Sequence, residues 1–157
     1  MHSLIECVPN FSEGRDFARI HALESAIAAV PGTLVLDRTS DPDHHRSVIT
    51  FAGDGESVLE SAVRAVSLAA KLIDLNQHHG VHPRLGALDV LPFVPLGGAT
   101  LEDCVALAHR SGRRIWNELG IPVYFYQAAA LRPDRVQLEQ VRRGQFEGLR
   151  EAVLNDE

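Results

Sequence analysis

Apolar residues recur every three or four positions in three stretches of this chain and gather in shorter runs between them, and these patterns predict its helices and strands. Leu4-Ile-Glu-Cys-Val8 predicts a short strand, stopped by Pro9 and the polar turn Asn10-Phe-Ser-Glu-Gly14. From Arg15 to Val30, the residues Phe17, Ile20, Leu23, Ile27 and Val30 share one helix face, and Pro31-Gly32 ends the helix. Thr33-Leu-Val-Leu36 and Ser47-Val-Ile-Thr-Phe-Ala52 predict two strands on either side of a polar loop, Thr39 to Arg46. A second helix is expected from Glu56 to Leu75, with Val58, Leu59, Ala62, Val66, Ala69 and Ile73 on its buried stripe. A polar connection, Asn76 to Gly86, leads to the apolar run Ala87 to Leu96, where Pro92 and Pro95 suit an edge or irregular strand. Thr100-Leu-Glu-Asp103 has the capping-box spacing for a third helix, which Gly120 closes. Val123-Tyr-Phe-Tyr126 reads as one more strand, and Asp134 to Leu154 as a charged helical tail broken at Gly144.

The order β-α-β-β-α-β, followed by α-β and the tail, predicts an α+β fold: a ferredoxin-like split βαβ sandwich with a mixed or antiparallel sheet and helices on one face. A doubly wound parallel sheet is the alternative. The strand-loop-strand step between residues 33 and 52 holds no helix, which favours a hairpin there. With 157 residues, 45% of them apolar, the chain is long enough for one domain, residues 1–157, with its own core.

Charge and cysteines narrow the setting. Fifteen Lys and Arg against 21 Asp and Glu give a net charge of −6. Lys71 is the single lysine and there is no basic run, which argues against nucleic acid or an anionic membrane surface as the main partner. No segment approaches the roughly 18 apolar residues of a membrane helix, and Leu4 to Val8 is too broken for a signal peptide. Cys7 and Cys104 lie far apart in apolar surroundings, so reduced buried thiols and a cytoplasmic location are expected.

Five of the eight histidines, His44, His45, His78, His79 and His82, fall in two polar connections. They are either metal ligands from converging loops or solvated loop residues, and the spacing gives metal little support. In His82-Pro-Arg-Leu-Gly-Ala-Leu-Asp89 an imidazole suited to proton transfer near neutral pH stands beside Arg84, a planar fork for carboxylate or phosphate. A purely structural alternative has His82 capping a helix end and Arg84 pairing with Asp89. Asn10 and Ser12 lie between a strand and a helix start, where they can cap the helix or border an anion site. Asp37, Asp41, Asp43 and Arg46 read as a solvated hairpin tip on physics alone.

Taken together, Glu6-Cys-Val-Pro-Asn-Phe-Ser-Glu-Gly14, Asp37 with Arg46, Leu72-Ile-Asp74, His82 to Asp89, Pro92-Phe-Val-Pro95 and Pro122-Val-Tyr-Phe-Tyr126 resemble the N-terminal half of the glutamate formiminotransferase domain. The resemblance runs from about Leu4 to about Leu149. It implies a ferredoxin-like subdomain and transfer of a formimino group from N-formimino-L-glutamate to N5 of tetrahydrofolate, a co-substrate, with no metal. The family's catalytic histidine falls on His82, and binding roles fall on Asn10, Ser12, Asp37, Arg46, Arg84 and Asp89. The loop from Thr39 to His45 departs from the version associated with full-length enzymes. The family's cleft lies between this half and a second, similar subdomain, so the expected partner is a second copy in a homodimer or a separately encoded second half. A non-catalytic folate-binding or subunit module with the same fold is the competing expectation, and a metal-binding regulator built on the histidines is a third.

Overall fold

The computed structural model describes residues 3–155, so the outermost two residues at each end of the expected 1–157 unit lie outside it. β1 (Ile5–Cys7) and β2 (Asn10–Phe11) follow one line interrupted at Val8-Pro9, and α1 (Phe17–Ala28) begins after the turn that follows. Asp16 caps α1, its carboxylate accepting from the backbone N–H groups of Ala18 and Arg19. β3 (Thr33–Asp41) and β4 (Arg46–Gly53) form a long antiparallel hairpin, and Asp54 caps α2 (Gly55–Leu72). β5 (Leu88–Val90) and β6 (Phe93–Pro95) flank the break at Leu91-Pro92. α3 (Leu101–Leu119) has the predicted reciprocal cap between Thr100 and Asp103, and it ends at Gly120, whose φ of 67° is the left-handed conformation glycine tolerates. Two short turns, α4 (Leu138–Val141) and α5 (Gln145–Leu154) complete the chain.

All pairings in the six-stranded sheet are antiparallel. β4 is central, with β3 along one side and β1 and β2 along the other, and β6 and β5 pair with β1 and β2 in turn. The prolines at 92 and 95 therefore sit on an outer line of the sheet, where a missing N–H costs no ladder bond. Odd-numbered residues of β4 are buried and even-numbered ones half-exposed, the period of two expected for a sheet covered on one face. Ile5, Cys7, Phe11, Ile49 and Phe51 meet Leu23 and Ile27 of α1, Val58 and Ala62 of α2, and Cys104, Leu107 and Ile115 of α3. Burying each large side chain of this kind contributes about 1.5–3 kcal/mol. Both cysteines are buried free thiols, and desolvation pushes the Cys7 thiol well above its ordinary range. The opposite face of the sheet leaves Leu34 66%, Leu36 49% and, on its far side, Val94 39% exposed.

Three segments differ from expectation. Asn10-Phe11, expected in a polar turn, forms β2, because its backbone pairs with β4 on one side and β5 on the other. The polar stretch Thr39 to Asp41 is strand rather than loop: on β3, the outer line beyond β4, polar side chains meet water while the backbone pairs with Arg46 to Val48. Val123 to Tyr126 belongs to no strand. Its apolar residues pack on α3 instead, Phe125 lying edge-on to His109 with ring centroids 4.8 Å apart and lying over Gly112, where a Cβ would collide with its ring. Among the described residues no helix is long and apolar enough to cross a membrane.

Candidate active site

Three segments far apart in sequence meet at one end of the sheet: the turn after β2, the β3–β4 hairpin tip and the loop before β5. Gly14 lets the first two touch, because a Cβ there would collide with the backbone of Asp41 and Arg46. Its N–H donates to His45 Nδ1 at 3.0 Å. Ser12 joins the first to the third: its hydroxyl donates to the Gly86 carbonyl at 2.7 Å and its N–H to the Ala87 carbonyl at 2.8 Å. Buried Glu13 accepts from the N–H groups of Arg15 and Asp16, each at 3.0 Å, and from Arg19. Burial works against its ionisation, but these donors together hold its carboxyl below the usual range.

The meeting point is organised by charge. Arg46, the first residue of β4, donates from Nε to Asn10 Oδ1 at 3.0 Å and from Nη1 to Asp89 Oδ2 at 3.2 Å. Nη1 also lies 2.9 Å from His82 Nδ1. The Asp89 side chain has no exposed surface; it accepts further bonds from the Leu85 N–H and from Arg142 Nη2, the latter reaching in from just after α4. Two guanidinium groups against one carboxylate leave a positive excess beside the imidazole, which favours an anionic ligand.

His82 itself is half-buried. Its Nδ1 lies 2.7 Å from the Pro83 carbonyl as well as near Arg46, so each neutral tautomer has a partner. With the proton on Nδ1 and donated to Pro83, the Nε2 lone pair is left for a base. Desolvation is the largest influence on the ring and lowers its pKa; Arg46 and Arg142 add to that, while the Pro83 bond and Asp89 oppose it. A neutral imidazole results, ready to accept a proton.

Of the expected site residues, Asn10, Arg46, His82 and Asp89 share one hydrogen-bonded cluster, and Ser12 supports the end of the His82 loop where it leads into β5. Asp37 does not join them; it is exposed on β3 opposite Thr50. Arg84 is buried and bonds Glu147 in place of Asp89: its fork, expected to meet a ligand carboxylate, is held by Glu147 of α5 at 2.7 and 2.9 Å. Arg142 and Glu147 were read only as part of a charged tail, and nothing near them in sequence marks them as partners of Asp89 and Arg84, 53 and 63 residues away. His45 and His78 stack with centroids 4.4 Å apart. Among the described residues no group of three or more His, Cys, Asp or Glu side chains is placed to hold a metal ion.

Burial lowers the pKa of His45, His78 and His82 alike. An unfolded chain, whose histidines titrate near about 6.5, takes up protons that the folded one resists. The stabilising contribution is therefore complete above that range and declines as pH falls through it. Thermal unfolding should begin at a lower temperature at about pH 5.5 than at about pH 7.5, the two pH values bracketing the ordinary histidine range. A midpoint unchanged over that interval would contradict the neutral, buried assignment.

A half-buried imidazole flanked by guanidinium groups has the chemistry to move a proton next to an anionic small molecule. The chain belongs to the family described as formiminotransferase domain, N-terminal subdomain, which matches residues 4–157. It is 45% identical over 157 residues to a glutamate formimidoyltransferase of Streptococcus pyogenes serotype M1, covering all of this chain and 52% of that protein. A glutamate formimidoyltransferase of Thermoplasma acidophilum is 49% identical over 156 residues, covering 98% of this chain and 52% of that protein. A formimidoyltransferase-cyclodeaminase of Sus scrofa is 46% identical over 157 residues, which are 100% of this chain and 29% of that protein. The chain thus spans about half the length of the first two relatives and under a third of the last.

Proposed function

We propose that this chain carries the catalytic half of an enzyme that moves a formimino group from N-formimino-L-glutamate to tetrahydrofolate, with His82 as the proton shuttle. The observation that carries the reading is the half-buried His82 ring beside Arg46, whose Nδ1–H donates to the Pro83 carbonyl at 2.7 Å and leaves Nε2 uncommitted. N5 of the folate attacks the formimino carbon, forming a C–N bond and a tetrahedral centre with an extra proton on N5. His82 Nε2 takes that proton and returns it to the glutamate nitrogen, whose bond to carbon then breaks to release glutamate. Arg46 and Arg142 attract the carboxylates of formiminoglutamate or of the folate tail, and Asn10 and Asp89 keep Arg46 in place. Ser12 holds the His82 loop, and Asp37 has a binding role only if a partner brings ligand to β3. The folate acts as co-substrate, and the mechanism uses no metal.

The strand order, with β1 and β2 beside β4 and the outer lines formed by β3 and by β5 with β6, supports a ferredoxin-like split βαβ arrangement in a single domain over residues 1–157. Buried reduced thiols and the acidic charge support a cytoplasmic setting. The exposed Leu34, Leu36 and Val94 on the uncovered sheet face support a partner surface. That partner is a second copy of the chain or a separately encoded second half, which completes the cleft. Light scattering after gel filtration at several concentrations, beside a turnover assay, tests this: activity should track the assembled form. A fully active monomer at every concentration would contradict the half-site reading, and folate binding without turnover in any assembly would leave a binding module.

A further inference from the structure

We infer that Glu147 and His78 are positioning residues for His82, acting through Arg84 to fix the shape of the loop that presents the imidazole. The inference rests on the role proposed above for His82. From Asn76 to Gly86 the only buried residues are His78 and Arg84, while Val81 is 77% exposed. A loop with no buried apolar side chain lacks a hydrophobic anchor, so hydrogen bonds must set its conformation.

Those bonds converge on Arg84. Its Nε donates to His78 Nδ1 at 3.0 Å and its Nη2 to the His78 carbonyl at 3.4 Å, pinching the loop closed on either side of His82. The other edge of the guanidinium meets both oxygens of Glu147 in bidentate geometry, and the Phe146 N–H donates to the Arg84 carbonyl at 3.0 Å. The first turns of α5 therefore grip both the side chain and the backbone of Arg84. His78 extends the grip to the hairpin: its Nε2–H donates to the His45 carbonyl at 3.0 Å. Only the neutral tautomer protonated on Nε2 can make this bond while Nδ1 accepts from Arg84. Gly80 lies so close to the His44 carbonyl that a Cβ would collide with it, so the loop lies directly on the hairpin tip that leads into Arg46. A shift of the pinch moves His82 relative to Arg46 and Asp89.

The position of the His82 ring separates this role from a merely structural one. The Glu147 side chain is 52% exposed but its Arg84 partner is only 8% exposed, so losing the carboxylate strands a buried guanidinium and lowers stability as well. Misplacing a catalytic group by about 1 Å can cost around a hundredfold in rate. Histidine NMR spectra of the full chain, recorded through a pH titration, are the direct probe, with kcat and KM measured in the assembled enzyme. Glu147→Ala should move the His82 ring signals and their titration midpoint, and lower kcat by roughly 10- to 100-fold with little change in KM, beside a lowered thermal midpoint that a merely structural role would give alone. His78→Asn, which keeps an acceptor near the place of Nδ1, should hold the His82 signals near their original positions; His78→Leu should displace them as Glu147→Ala does. Unmoved His82 signals in Glu147→Ala and His78→Leu would overturn the inference, as would an unchanged kcat in an active preparation. Displaced His82 signals in a protein whose parent shows no turnover would support the inference and count against the proposed function.

Discussion

Replacing His82 by Asn should leave the chain folded and lower kcat by roughly 10²–10⁴-fold, the range typical of losing a general acid/base group. The fold should survive because His82 is half-buried and contributes little to the core. An asparagine amide N–H can still donate to the Pro83 carbonyl where Nδ1–H stood, so that carbonyl keeps a partner. What disappears is a group that both accepts and returns a proton near neutral pH. KM should change less than kcat, since Arg46 and Arg142 remain to attract substrate carboxylates. Steady-state kinetics alongside a circular dichroism melt checks both halves of the expectation. Unchanged turnover in a preparation active before mutation would remove His82 from the mechanism.

Asp89→Ala should instead unfold the site. The carboxylate is fully enclosed and accepts from Arg46, from Arg142 and from the Leu85 N–H. Removing one member of a buried ionic group strands the others without compensation, at a cost of about 3–5 kcal/mol. That is a large share of the roughly 5–15 kcal/mol that keeps a domain of this kind folded. Two guanidinium groups left facing each other should also part, taking the start of β4 away from His82. Urea unfolding measures the loss, and a difference below about 1 kcal/mol would mean that the three charges behave as a solvated surface group.

Parts of this architecture were legible in the chain and parts were not, for identifiable physical reasons. α1, α2 and α3 bury one stripe each, so their apolar spacing, with the capping box and terminal glycine of α3, gave their places within a few residues, although α1 is capped by Asp16 and not by Asn10 or Ser12. Pro92 correctly marked β5 and β6 as an outer, broken line. The hairpin was read too short because Thr39, Ser40 and Asp41 lie on a line where burial does not select residue type. Val123 to Tyr126 was read as a strand because packing on α3 calls for the same apolar side chains that a sheet does. In the site, Asn10, Arg46, His82 and Asp89 stood out through their motifs, yet nothing local to Arg46 showed that it would meet His82, 36 residues on. Arg142 and Glu147 were unreadable for a related reason: an arginine or glutamate in a charged tail looks alike whether it meets water or a buried partner. The depth of Arg84 was equally hidden, since an arginine is buried only where a distant carboxylate such as that of Glu147 awaits it.

The proposal that this fold, once its cleft is completed, transfers a formimino group through His82 can be tested on the transferred carbon. The most direct measurement follows the carbon itself. N-formimino-L-glutamate labelled with ¹³C at the formimino carbon is mixed with tetrahydrofolate and the assembled protein, and the label is traced by NMR. Label should appear on folate N5 as unlabelled glutamate accumulates in equal amount, and His82→Asn should slow both together. Label that stays on glutamate in every assembly, although the protein is folded and binds both compounds, would contradict the proposal.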